Sequence, residues 1–406
     1  MKWRVLRIGI PVLSLAVILA IYFVPEFAAF VFQTLAFLTP LWLPVGLYYV
    51  TYPVWFYFAR LQYTQSIPYI TLELRPGVET PRTAKPMELV LYSLYHRTDI
   101  TKREFLLGHV RMPWSFEIYA HAGAVRFFVH VPENHREALE ARIKSEYYDI
   151  DIFEVRDYTR EFDSHSRAMK AVSYEYTLTK PDPYPIKTFT KYEAEPVRRD
   201  VCAEMLRSIA DIGRDEHVFI SYIIRPHQRE RVDYFKEPID TLHQDAYHVI
   251  AGIVGASGDP HALSPGKQAV VAAIESALQK PSFDCGIRAL YVAENNSFNQ
   301  GLDAKLANLF DTFSDSDLNG FTAYDPMERM GFIQKEFAAL STHYRSKALI
   351  DLFRTRSFFA PPYSGEAFIL NTEELATVFH MPPAGRGSVL AHHASANLVA
   401  PQNLPV

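Results

Sequence analysis

The chain has 406 residues, 49% of them apolar, and 46 acidic against 41 basic side chains give it a net charge of −5. That length exceeds one ordinary domain and points to about two or three compact units, while the acidic balance argues against a protein that coats nucleic acid and leaves a local basic patch open. The cysteines, Cys202 and Cys285, are too few for a disulfide framework and permit a reducing compartment.

At the N-terminus, Glu26 is the single charged side chain between Ile8 and Ala59. A bilayer core takes ~20 apolar residues per helix, so the stretch suits a transmembrane helical hairpin with passes at Ile8–Val24 and Ala28–Tyr49 and Pro25-Glu26 as the turn. Pro40 and Pro44 should kink the second pass. Lys2, Arg4 and Arg7 precede the hairpin and Arg60 follows it, which places both ends in the cytoplasm. Thr51–Tyr63, "TYPVWFYFARLQY", carries an aromatic belt suited to a helix at the inner interface. A cleaved signal peptide shares the basic start, but no small-residue cleavage site ends the first apolar run and a second run follows at once. Residues 1–63 therefore read as a membrane anchor, with lipid as the first partner.

Residues 66–158 read as one α+β domain. "IPYITLELRPG" is a strand, and "AKPMELVLYSLYHR" a helix with Met87, Leu91 and Leu94 inward. "SFEIYAHAGAVRFFVHVP" is a β-hairpin turning at Gly123, with Phe116, Ile118 and Ala120, then Val125, Phe127, Val129 and Val131, on the buried side. "ENHREALEARIKSEYYDI" is a helix with Leu139, Ile143 and Tyr147 inward, and Asp151–Val155 a strand. Strand, helix, strand, strand, helix, strand is the ferredoxin-like split βαβ order.

The order recurs over residues 168–325. Ser173–Lys180 is a strand, "DVCAEMLRSIADIG" a helix capped by Asp200, and Glu216–Pro226 a strand. A helical insertion covers about Glu230–Lys280. "FDCGIRALYVAE", "LDAKLANLFDTF" and "LNGFTAY" then supply strand, helix and strand. The expected fold is thus α+β, with two tandem ferredoxin-like domains after the anchor. Residues 326–383 form a helical and strand segment that is basic and aromatic, and residues 384–406 read as a disordered tail.

Several segments imitate chemistry. "GIVGASG" and "SPGKQ" depart from the dinucleotide and Walker A patterns at the positions that matter. In "DSDLNGFTAYDP" Asp315, Asp317, Asn319 and Gly320 fill half a calcium loop, but Pro326 stands where a bidentate Glu is needed, so the segment reads as a polar turn. His130 reads as a surface or sheet-edge residue rather than a base. No G-x-S-x-G or H-E-x-x-H occurs. The expectation is a non-enzyme with no cofactor and no metal. Arg345, Lys347, Arg354 and Arg356 form a basic stripe that could contact phosphates or an acidic partner, or be a solvated helix face.

The hairpin-helix-strand block Ser115–Val155, "LNGFTAY", and "FRTRSFF" followed by "EAFILNTEELATVFHMP" resemble the membrane-anchored N-terminal region of type IV secretion, conjugative coupling-protein-like ATPases of small-genome bacteria. The resemblance runs from the apolar hairpin to Pro382. It implies a scaffold subunit in the inner membrane, facing the cytoplasm, that forms homo-oligomers and positions a RecA-like translocation ATPase. Neither Walker motif occurs up to Val406, so the motor is expected on a separate chain or in a longer architecture. The capped helix Asn371–His380 would hand over to it, with Asn371, Glu374, Leu375 and His380 as contacts. A membrane-anchored envelope binding protein without a motor is the alternative.

Overall fold

The computed structural model describes residues 25–383, except 81–82, 96–99, 162–165, 167, 197–198, 229–240, 256–262, 331–334 and 337–340. The expected first pass, Ile8–Val24, and the tail from 384 lie outside the described residues. The chain divides into two units, Met1–Ala59 and Arg60–Val406.

The described part of the first unit is helical, within α1 (Pro25–Ser66). Pro25 and Glu26 open this helix, a position where proline loses no hydrogen bond and an acidic group faces the positive helix end. Among the described residues no single helix is long and apolar enough to cross a membrane. The segments Ala28–Thr34 and Ala36–Ser66 meet the length and composition of a span only as a pair, bent by 58° at the break between them. The bend lies one turn before Pro40, whose ring opposes the carbonyl of Ala36. Apolar side chains point out all round this helix, Phe37 being 84% and Tyr49 72% exposed.

The second unit is α+β. In chain order it contains β1 (Tyr69–Pro76), α2 (Lys85–Leu94), α3 (Lys102–Leu106), β2 (Trp114–His121), β3 (Ala124–Pro132), α4 (Arg136–Glu146), β4 (Ile150–Val155) and β5 (Met169–Leu178). Next come α5 (Phe189–Glu193), α6 (Val201–Ala210), β6 (Glu216–Pro226), α7 (Thr241–Val254), α8 (Pro265–Leu278), β7 (Ser282–Glu294), α9 (Gln300–Ala307) and β8 (Phe321–Tyr324). The C-terminal part adds α10 (Thr342–Thr355), β9 (Phe359–Ala360), β10 (Tyr363–Ser364), β11 (Phe368–Asn371) and α11 (Thr372–Val378).

Among the described residues nine strands form one antiparallel sheet in the order β4-β1-β3-β2-β6-β7-β5-β8, with β11 also on β7. The two stretches of chain lie side by side in this sheet, joined where β2 pairs with β6 from Trp114↔Ile224 to His121↔His217. Each half has the same internal order counted from its outer edge, fourth, first, third, second.

Alternation along the strands makes two unlike faces. Leu72 and Leu74, Phe116 and Ile118, Phe127 and Val129, Ile220 and Tyr222, and Ile287 and Ala289 share one continuous core with Met87, Leu139, Leu206, Leu306 and Leu375 from the covering helices. The opposite face lies under α10, which Ser346 fastens to β5 by accepting a hydrogen bond from the Ala171 N–H at 2.9 Å. Here Phe128, Tyr119, Phe219 and Leu290 meet Leu349 and Phe353 in a smaller cluster.

Candidate functional site

The second face is where the sheet departs from an ordinary apolar core. Its central row runs Glu73, Phe128, Glu117, Ser221, Arg288, Glu175, Tyr324 across successive strands in register. Glu117, Glu175 and Arg288 are fully buried. A buried charge is tolerated only when paired and hydrogen-bonded, and each of these is.

Arg288 gives its Nε to Glu175 Oε1 at 2.8 Å and its remaining nitrogens to the carbonyls of Leu352 and Ser357 at 3.1 and 3.2 Å. Glu175 Oε2 accepts from the hydroxyls of Tyr324 and Tyr363 at 2.6 and 2.8 Å. Burial pushes the Tyr324 and Tyr363 hydroxyls up, and the adjacent Glu175 charge adds to this.

Arg356 fills the matching place in the other half. It ends α10 in the left-handed conformation, φ 49°, which turns its side chain onto the sheet. Its Nε and Nη2 donate to the two oxygens of Glu117 at 2.6 and 3.0 Å, and Nη1 and Nη2 donate to those of Asp157 at 2.8 and 3.0 Å. Burial alone would raise Glu117, yet the Arg356 charge holds it below its ordinary value. Asp157 is lowered too, its hydrogen bonds from Arg356 outweighing burial. Tyr158 donates to Glu117 at 2.7 Å and stacks on Phe128 at 4.2 Å between ring centres.

A third ionic group sits at the end of β6 and the start of β7. Asp284 receives Arg225 Nε at 2.8 Å, Arg111 Nη2 at 3.3 Å and the His227 Nδ1 edge at 2.5 Å. Beside these groups lies a cavity of roughly 300 Å³, walled by the last turns of α1, residues 110–115, His130, Ile223 and residues 355–362. His130 stacks on Tyr69 with ring centres 4.8 Å apart and shares a 3.0 Å hydrogen bond between Nδ1 and Thr71 Oγ1. Burial, then the Arg356 charge, push His130 down to about 4, so it is neutral at pH 7. The sheet-edge expectation for His130 is corrected: β3 lies inside the sheet, between β1 and β2.

The expected basic stripe is not a row of solvated cations. Arg356 is buried. Arg345 pairs with Asp325 at 2.5 Å, Arg354 donates to the Thr159 carbonyl at 2.9 Å, and Lys347 is half-buried on α10. Arg356 fastens the end of α10 to the sheet, and Arg345 and Arg354 hold α10 to Asp325 and Thr159 beside it.

Asn371, Glu374, Leu375 and His380 lie inside the core rather than on an open docking face, because α11 packs beneath α2, α5 and α6. Asn371 caps α11 by accepting from Glu373 N and Glu374 N, each at 3.0 Å, and Glu374 returns the bond from Asn371 N at 2.9 Å. Glu374 also accepts from Ile186 N at 2.8 Å, and burial pushes its carboxyl up to about 7. His380 lies 3.2 Å from Asp200. Burial opposes the His380 charge, but its neighbours Cys202 and Asp200 outweigh it and raise the ring well above its ordinary value.

In the calcium-like turn Asp315 Oδ1 accepts from Asp317 N and Leu318 N at 2.9 and 3.2 Å. The buried Asn319 amide bonds the carbonyls of Lys180 and Tyr184. Among the described residues no group of three or more His, Cys, Asp or Glu is placed to hold a metal ion.

The model of a family described as a domain of unknown function, DUF8128, matches residues 61–385. No curated protein matches the chain. The matched span covers most of the chain and nearly all of the second unit, so the chain belongs to the DUF8128 family.

Proposed function

We propose that this DUF8128 protein is a non-catalytic, membrane-tethered scaffold, its second unit built from two ferredoxin-like halves that together position a RecA-like translocation ATPase of the type IV secretion class. The observation that carries the tether is α1, whose aromatic and aliphatic side chains are exposed on every side from Phe30 to Phe58. A helix apolar all round needs an apolar surrounding, and a bilayer supplies one. Each half has the element order and the strand order of a split βαβ unit, which supports the ferredoxin-like reading.

The scaffold reading draws on the second face. Its buried cations and carboxylates are consumed by one another and by backbone carbonyls, an arrangement that holds α10 to the sheet and supports a structural reading of this face. The ATPase partner, homo-oligomerisation, and a location at the inner membrane with the second unit in the cytoplasm rest on the sequence resemblance to coupling-protein-like ATPases. The second reading, a membrane-anchored binding protein with no motor, is favoured by one feature, the cavity beside His130.

Crosslinking in native membranes followed by identification of the bound proteins tests the proposal. An ATPase recovered with the chain in amounts comparable to it is the expected result. Recovery of the chain without any ATPase would overturn the motor-positioning reading and leave the binding-protein reading standing.

A further inference from the structure

The cavity beside His130 has properties that restrict what can enter it. Its volume of roughly 300 Å³ is at the lower end for small-molecule sites and holds a chain of about ten heavy atoms at ~30 Å³ each. Leu61, Trp114, Ile223, Phe358 and Phe359 give it a largely apolar wall.

The charges around it are already neutralised. Arg356 spends its donors on Glu117, Asp157 and the Arg354 carbonyl, and Arg111 is held by Asp284 and the Pro226 carbonyl. An anionic guest would have to break these bonds, and a cationic guest would meet carboxylates already paired. Either would lose its hydration without full compensation. A polar position of the wall is the His130 ring, whose Nδ1 is engaged by the Thr71 hydroxyl and whose other nitrogen is Nε2, while Gln65 stands at the exposed rim. Burial keeps the His130 ring uncharged at neutral pH, which suits a hydroxyl or ester better than a carboxylate.

We propose that this cavity binds one uncharged linear amphiphile, with its hydrocarbon chain along Trp114, Ile223 and Phe358 and its hydroxyl or ester end at His130 Nε2 and Gln65. The site lies wholly in the second unit and does not depend on the tether: a chain that binds the amphiphile but not membranes would retain this site and lose the tether.

Trp114 serves as the reporter. Of the four tryptophans, Trp3, Trp42 and Trp55 are replaced by Phe, and the full chain is held in lipid nanodiscs. A medium-chain alcohol tipped with bromine, a heavy-atom quencher, is then titrated in. The expected result is saturable quenching of Trp114 by at least half. Ala360→Phe, which fills the cavity, should weaken binding at least tenfold. Gln65→Ala, at the exposed rim and harmless to folding, should weaken it about fivefold, and the corresponding bromine-tipped carboxylate should bind at least tenfold more weakly than the alcohol. Unsaturable quenching, or quenching equal in the Gln65→Ala chain and for the carboxylate, would overturn the proposal even if Ala360→Phe failed to fold.

Discussion

Arg356→Met tests the second face most sharply. In the structure the Arg356 fork joins the C-terminal end of α10 to Glu117 on β2, 239 residues away in sequence, and to Asp157. Methionine keeps much of the length and apolar stem but removes the cation, so Glu117, fully buried, is left with Ser115 and Tyr158 as its donors. Removing one partner of a buried ion pair costs about 3–5 kcal/mol. At ~2–4 °C per kcal/mol for a large domain, the midpoint of thermal unfolding followed by near-ultraviolet circular dichroism should fall by roughly 6–20 °C. Adding Glu117→Gln should recover part of the loss, giving a coupling of about 1–3 kcal/mol in a double-mutant cycle. Lys347→Met, on the same helix but half-buried, should change stability by less than about 1 kcal/mol. If Arg356→Met and Lys347→Met had equal, small effects, the buried fork would be refuted and α10 would carry a solvated basic stripe after all.

Asn371→Ala removes the side-chain acceptor of the capping box of α11, which takes the Glu373 and Glu374 N–H groups, and should cost about 1–2 kcal/mol, read from denaturant midpoints. Gly286→Ala would place a Cβ 2.4 Å from the Phe358 ring, so a loss of about 1–3 kcal/mol is expected, with partial recovery on adding Phe358→Leu. His130 is lowered to about 4 in the folded chain from an ordinary value near 6.5, so the unfolded chain binds the extra proton between those values. Its contribution is complete above about pH 6.5 and is lost as pH falls toward 4, up to about 3 kcal/mol. A His130→Gln chain should show a shallower acid-side stability slope than the parent. Glu374 works in the opposite sense: raised to about 7 by burial, it favours the fold below about pH 4.5 and loses that contribution as pH rises through 7. Glu374→Gln should flatten the stability profile on that side.

The sheet was legible where one face is apolar. Alternation in Phe116–Val131, the full length of β6 from Glu216 to Pro226, and the Asp200 cap, which accepts from Ala203 N at 2.8 Å, are local patterns that need no partner to be read. The second face was not legible, because Glu117 in "SFEIYA", Glu175 in "SYEYTL" and Arg288 in "GIRALY" look like the solvent side of half-buried strands. Only the fold brings Arg356 to Glu117 and covers Glu175 with Tyr363. The available signal was the recurrence of lone charges at the centres of otherwise apolar strands in both halves, Glu73 and Glu117 in the first, Glu175 and Arg288 in the second. The segment around Asn371 was read correctly as a strand leading into a capped helix. Its burial was not legible, since pairing of β11 with β7 and the covering of α11 depend on contacts far away in sequence.

Membrane attachment through α1 tests the account most directly. Native membranes carrying the full chain are washed at alkaline pH and floated on a density gradient, in parallel with a chain in which Phe37, Leu41, Tyr49 and Val50 are changed to Asn. The account predicts that the parent stays with the floated lipid and that the substituted chain is released with its α+β unit still folded. Release of the parent by the wash, or equal retention of both chains, would contradict it.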